Sequence, residues 1–236
     1  MDMSLTFPLI AGLIASILHV ITGPDHLAAV IPFAIETKKS AWKIGLSWGI
    51  GHLLGMMAIG ILFLIFKEVL PLESISGRSE QLVGVVLIII GVWAFIKIFK
   101  SSKSHKHLHI HSDDSPMIHK HEHVHEQKTS HNHSHTNITK QSNFGALSIG
   151  FLHGLAGVAH FILFLPVLSF ESQLDSIYYI IGFGFGILIA MTSFAFVVGK
   201  LASVAKNGHN DLFYNGIRFS GGLFAILIGI YWLVSA

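Results

Sequence analysis

Six ionisable residues, His19, Asp25, His26, His52, His153 and His160, stand in stretches that are otherwise almost wholly apolar. Imidazole nitrogens and carboxylate oxygens are ligands for divalent transition metals such as nickel, cobalt and zinc. An ionisable group inside an apolar span is costly and usually marks an ion or substrate path. A lone histidine there reads as a packing residue. Here two spaced pairs recur, His19 with His26 and His153 with His160, and His26 follows an aspartate. The six are therefore candidate metal ligands, and no catalytic residue is assigned.

The local sequence explains how such a site is made. In Gly23-Pro24-Asp25-His26, Pro24 has no N–H, so the carbonyl of Val20 loses its helical partner, and Gly23 lets the backbone leave the helix at low cost. The first span is expected to break there, giving an N/O coordination set for a divalent ion at mid-membrane. In the second half Ala159 replaces the aspartate, so the negative charge comes from Asp25 alone. His52 lies in Ser47-Trp48-Gly49-Ile50-Gly51-His52-Leu53-Leu54-Gly55, where small residues permit close approach to the first span. Met56, four residues on, reads as packing.

The elements that position these residues must be membrane helices. Of 236 residues, 52% are hydrophobic and only 12% charged, against roughly 25% charged in soluble domains. That excludes an ordinary soluble enzyme. Six spans long enough for a bilayer are expected near 5–23 with a continuation to 36, then 44–66, 80–99, 144–168, 176–199 and 216–235. The fold class is all-α.

The chain also repeats. An offset of 134 carries His19, Gly23, His26 and Pro32 onto His153, Gly157, His160 and Pro166; an offset of 138 carries Gly84, Gly91 and Trp93 onto Gly222, Gly229 and Tyr231. Three spans per half force the second half in from the opposite side, an inverted repeat as in secondary transporters. Each half should begin with a broken helix, around Gly23-Pro24 and around Gly154–Gly157. The predicted units are residues 1–100, a loop 101–142, and 143–236.

Thirteen of the 15 Lys and Arg residues fall on one side of six alternating spans. The positive-inside rule then places both termini outside the cell membrane and the loop in the cytoplasm. No Lys or Arg precedes Lys38, so a cleaved leader is not expected. The lack of cysteine excludes disulfides and thiolate ligands, and no basic patch suggests nucleic acid.

Residues 101–142 hold 11 of the 17 histidines: His105, His107, His109, His111, His119, His121, His123, His125, His131, His133 and His135. Low hydrophobicity predicts a disordered segment, and the recurring His-x-His pattern predicts metal capture or regulation.

The segments HVITGPDHLAAV at 19–30, GLSWGIGHLLG at 45–55 and GFLHGLAGVAH at 150–160 resemble the nickel/cobalt transporter superfamily, particularly its short urease-accessory branch. The similarity covers all six spans. It differs from the better-known permeases in having five, not four, residues between His19 and Asp25. The resemblance implies metal recognition by His19, Asp25 and His26, with His52 as a further candidate. Nickel or cobalt is the implied cargo, with zinc as an alternative, and no resident cofactor is implied. Partners would be the lipid bilayer and a cytoplasmic metallochaperone or nickel-enzyme maturation machinery. The runner-up reading is a haem- or iron-binding membrane redox protein; an intramembrane hydrolase using Ser47 or Ser148, and a metal store using the loop alone, rank below it.

Overall fold

The computed structural model describes the backbone of residues 3–66, 72–101, 105–110, 118–123, 138–156, 165–208 and 211–235. Helices α1 (Met3–Thr22) and α2 (Pro24–Thr37) are followed by a 3-10 turn (Lys38–Ser40), α3 (Ala41–Phe66) and α4 (Leu72–Ser101). After the loop come α5 (Ile138–Ala156), the short α6 (Leu165–Ser169), α7 (Gln173–Asn207) and α8 (Asp211–Ser235).

The first break falls where the chemistry of proline requires it. Helix α1 stops at Thr22, Gly23 is extended at φ −86° and ψ 97°, and Pro24 opens α2. Proline at a helix start loses nothing, since its missing N–H would have no intrahelical acceptor there. The expected fourth span is helical at Ile138–Ala156, through Gly154, and again at Leu165–Ser169. Gly157 and His160 lie outside the described residues.

Four stretches are long and apolar enough to cross a bilayer: 24–61, 80–99, 173–207 and 212–235, beside a shorter apolar helix at 6–22. Their outward faces are apolar as well. On α1, Phe7, Ile10, Ile14, Leu18 and Ile21 form an exposed stripe at helical spacing, and α7 presents Ile177, Ile181, Phe185 and Ile189 outward. A soluble monomer rarely exposes contiguous apolar surface on that scale. The chain is a multi-pass membrane protein.

The helices pack mainly as α1 on α7, α3 on α5 and α4 on α8. Parallel neighbours α3 and α5 meet through glycines, Gly51 lying against Leu147 and Gly154 against His52. Antiparallel neighbours α4 and α8 meet at Gly84 with Gly229 and at Gly91 with Gly222. The half-length α2 fills the middle, touching α3, α4, α5, α7 and α8. Its residues Ala28, Ala29, Val30, Ala34 and Ile35 are buried. At its far end Glu36 accepts from the buried Arg218 of α8 at 2.7 Å and lies 3.6 Å from Lys97 of α4, which pins the central helix to both neighbours.

Within the 101–142 segment the described residues form β1 (His105–Ile110) and β2 (Ile118–His123), which pair as antiparallel strands, the only strands among the described residues. Histidine alternates with other residues along both, which is the period of a strand.

Candidate metal centre

The break between α1 and α2 brings three elements of chemistry to one place. His19 closes the last turn of α1, Asp25 and His26 open α2, and the glycine crossing of α3 on α5 sets His52 and His153 against them. Asp25, His26, His52 and His153 are all buried in the protein. Gly23 is needed by this geometry for a second reason: a Cβ there would meet His26 Nδ1 and lie 3.0 Å from Asp25 Oδ1.

Asp25 is held from both sides. His26 Nδ1 lies 2.9 Å from Oδ1 and His153 Nε2 lies 3.1 Å from Oδ2. An ionised carboxylate only accepts, so each imidazole donates the proton of the nitrogen that faces it. His26 is thereby fixed as the Nδ1–H tautomer with a lone pair at Nε2, the arrangement of carboxylate–histidine–metal triads.

His26 is the hub of the cluster. Its ring centroid lies 4.6 Å from His19, 5.1 Å from His52 and 4.7 Å from His153, nearly edge to face with each. Two trios of donors result, His19 with His26 and His52, and Asp25 with His26 and His153; within each, the ligand atoms lie within 4.8 Å of one another. Either group could hold a metal ion.

The structure thus brings together His19, Asp25, His26, His52 and His153. It adds Trp48, which stacks on His52 at 4.9 Å and 15° and lies 5.4 Å from both His26 and His153. The signal for Trp48 was present, since it precedes His52 by four residues and so shares its helix face. Glu36 and its cationic partners were also unforeseen, being at the end of the span rather than its middle.

Residues 7–231 match the family described as the cytochrome c biogenesis protein transmembrane region. A chloroplast protein of Arabidopsis thaliana, FOR GROWTH AND FERTILITY 1, is 31% identical over 83% of this chain and 50% of its own length. The urease accessory protein UreH of Bacillus sp. (strain TB-90) is 30% identical over 80% of this chain and 74% of its own. A protein of Methanocaldococcus jannaschii described as a candidate nickel/cobalt efflux system is 23% identical over 94% and 90%. The chain spans about half the length of the chloroplast relatives it matches. No solved structure matches it. The last two relatives are described as an accessory protein and a transport system, and the chain belongs to the family of the cytochrome c biogenesis transmembrane region, within which it is a relative of the urease accessory protein and of nickel/cobalt permeases.

Proposed function

We propose that the chain carries divalent transition-metal ions, nickel or cobalt before zinc, across the cell membrane through the site at the α1–α2 break. The convergence of His19, His26 and His52 beside a carboxylate-braced imidazole is the observation that carries this reading. In it the three histidines supply nitrogen ligands, Asp25 supplies charge and orients His26, and His153 braces Asp25, with His160 on the pseudo-symmetric side of the path. Metal–nitrogen bonds of about 2 Å place ligand atoms no more than about 4 Å apart, so the trio closes slightly around the ion.

The six-span inverted repeat belongs to the same proposal. The 138-residue offset that relates Gly84 to Gly222 and Gly91 to Gly229 converts the contact Gly84–Gly229 into Gly222–Gly91, and both contacts are present. Pairing a contact with its own image is what a two-fold axis between α4 and α8 entails. By the positive-inside rule the termini lie outside and the histidine loop inside, as a cytoplasmic capture or regulatory segment. The urease accessory relative supports delivery to, or receipt from, nickel-enzyme maturation machinery.

The family description favours weighing the redox alternative. Bis-histidine haem binding would need the macrocycle between facing imidazoles, and His19 and His52 do face each other, at 6.3 Å and 21°. That separation is too short to seat a macrocycle between the two rings, and His26 packs edge-on against both. Thiol redox chemistry has no cysteine to use.

Radioactive nickel and cobalt uptake and release by cells expressing the chain test the proposal and give direction. Entry of a doubly charged ion gains about 4.6 kcal/mol per 100 mV of inside-negative potential. Metal flux indistinguishable from that of cells carrying a His19→Gln, His26→Gln, His52→Gln protein at equal membrane abundance would overturn it.

A further inference from the structure

We propose that the membrane face at which α2 ends holds a site for an anionic phospholipid, whose phosphate is taken by Lys38 and Lys206 beside the buried Arg218. The site lies apart from the metal path and uses none of its ligands.

Four elements send cations to this place. Lys38 Nζ lies 5.3 Å and Lys206 Nζ 5.1 Å from the centre of the Tyr214 ring, and the Arg218 guanidinium lies 5.5 Å from it. Lys97 joins them through Glu36, which it approaches at 3.6 Å while Arg218 donates to the same carboxylate at 2.7 Å. The four come from the turn after α2, from α4, from the last turn of α7 and from the first turns of α8. The described side chains of the cluster are thus four cations, one ring and one carboxylate; the side chain of Asp211 lies outside the described residues.

Lysines at helix ends are ordinary signs of membrane orientation. Lys43 and Lys200, each exposed and over a ring of its own helix, fit that description. The Tyr214 cluster differs in being built inward. Arg218 and Tyr214 are each only 6% exposed. Lys38 has the only positive φ among the described residues, 48°, and its turn is packed so closely on α7 that a Cβ at Gly199 would meet its carbonyl. Like charges gathered at partly buried positions repel one another more strongly than in water. Glu36 offsets part of that repulsion, and a further anion offsets more.

A phosphodiester suits the place. It carries a negative charge and oxygens that accept from ammonium groups, and a guanidinium has five N–H donors, more than one carboxylate takes. Basic sites between helices at a membrane face are where acidic headgroups bind. The surroundings select a lipid over free phosphate. The cluster stands at the ends of the apolar stretches 80–99, 173–207 and 212–235. From it Val204, Leu201 and Val197 descend the outward side of α7, and Phe219 and Leu223 that of α8, all exposed. Acyl chains attached to the bound phosphate lie on that surface, which free phosphate leaves unused.

The test titrates the full-length chain in detergent micelles with phosphatidylglycerol, phosphatidylcholine or inorganic phosphate, and counts bound lipid by native mass spectrometry. The wild type should retain one phosphatidylglycerol in preference to phosphatidylcholine and melt at a higher temperature with it, with no such gain from inorganic phosphate. Lys38→Gln, Lys206→Gln should weaken phosphatidylglycerol binding about 30-fold, each lysine near an acidic headgroup being worth a factor of about five. Lys43→Gln, Lys200→Gln removes the same charge at exposed positions of the same face and should change binding by less than about threefold. Equal loss in the two double variants would show general attraction to a charged face and overturn the site. An equal effect of phosphatidylcholine or of inorganic phosphate would overturn recognition of an acidic lipid. Backbone hydrogen exchange of the wild type needs no variant: phosphatidylglycerol should slow exchange over 38–41 and 204–208 relative to phosphatidylcholine, and unchanged exchange there refutes the proposal. No measurement involves metal, so its outcome is independent of the transport reading.

Discussion

Replacing Asp25 by asparagine keeps the shape of the side chain and removes both its charge and half its accepting capacity. Two imidazole donors now meet the carboxylate, His26 at 2.9 Å and His153 at 3.1 Å. An amide offers one acceptor oxygen and one donor nitrogen, so one imidazole must turn or change tautomer. If His26 changes, its Nε2 gains a proton and is lost to the metal. Loss of an orienting partner of this kind costs about 10- to 100-fold in metal affinity, or about 1.4–2.8 kcal/mol. The missing charge adds to it, because a divalent ion leaving water needs compensation. We expect flux at sub-saturating nickel to fall by about 100-fold in Asp25→Asn, and by about tenfold in His153→Gln, where Asp25 and its bond to His26 survive. His160→Gln should cost less than Asp25→Asn, the second half carrying no acid at that point. The assay is the initial rate of radioactive nickel flux at matched membrane abundance. Flux in Asp25→Asn equal to or above that in His153→Gln or His160→Gln would refute the charge-bearing role of the first half.

The helix crossings make a structural prediction: Gly154→Ala puts a methyl against the His52 carbonyl and 2.9 Å from Met56 N, so it should cost about 1–3 kcal/mol and lower the melting temperature, while Gly60→Ala, with nothing within 4 Å, should not. Equal melting of the two proteins would count against the α3–α5 contact. Arg218→Leu should destabilise by about 1.5–3 kcal/mol, since it removes the buried donor to Glu36, whereas Lys97→Leu, 38% exposed and at 3.6 Å, should stay within about 1 kcal/mol; equivalent unfolding curves would contradict the pinning of α2. Replacing all 11 loop histidines by glutamine should change the sensitivity of transport to metal concentration yet leave flux measurable, and complete loss despite normal insertion would mean the loop belongs to the path.

Some of this was legible because it is local chemistry. The break at Gly23-Pro24 follows from one missing N–H, and the packing glycines announced close crossings. The partner of Asp25 was not legible. In sequence His153 reads as lining the pseudo-symmetric side, but its ring meets an acid from the first half, a contact set by the packing of α2 against both α3 and α5 rather than by any local spacing. Trp48 was hidden for a different reason: its motif was read for the backbone approach its glycines allow, while Met56 was taken as the residue sharing the face of His52. In the loop, the pairing of β1 with β2 was not legible, because it depends on two distant alternating segments meeting to satisfy backbone groups that neither satisfies alone.

The position of the acid explains how one carboxylate suffices. The N-terminus of α2 carries about half a positive charge and the C-terminus of α1 about half a negative one. Asp25 sits in the first turn of α2, where it cancels the unfavourable end. The break therefore presents roughly one negative charge to an approaching cation, from the carboxylate and the α1 terminus together. A divalent ion held there keeps a residual positive charge of about one. Three imidazoles fix which ions fit, since nitrogen ligands suit nickel, cobalt and zinc over magnesium and calcium. Incomplete charge compensation limits how long the ion stays, and transport needs a site that binds well enough to admit its ion and weakly enough to release it. In the sequence Ala159 stands where the first half has Asp25, so in the proposed mechanism the carboxylate of the site comes from the first half alone.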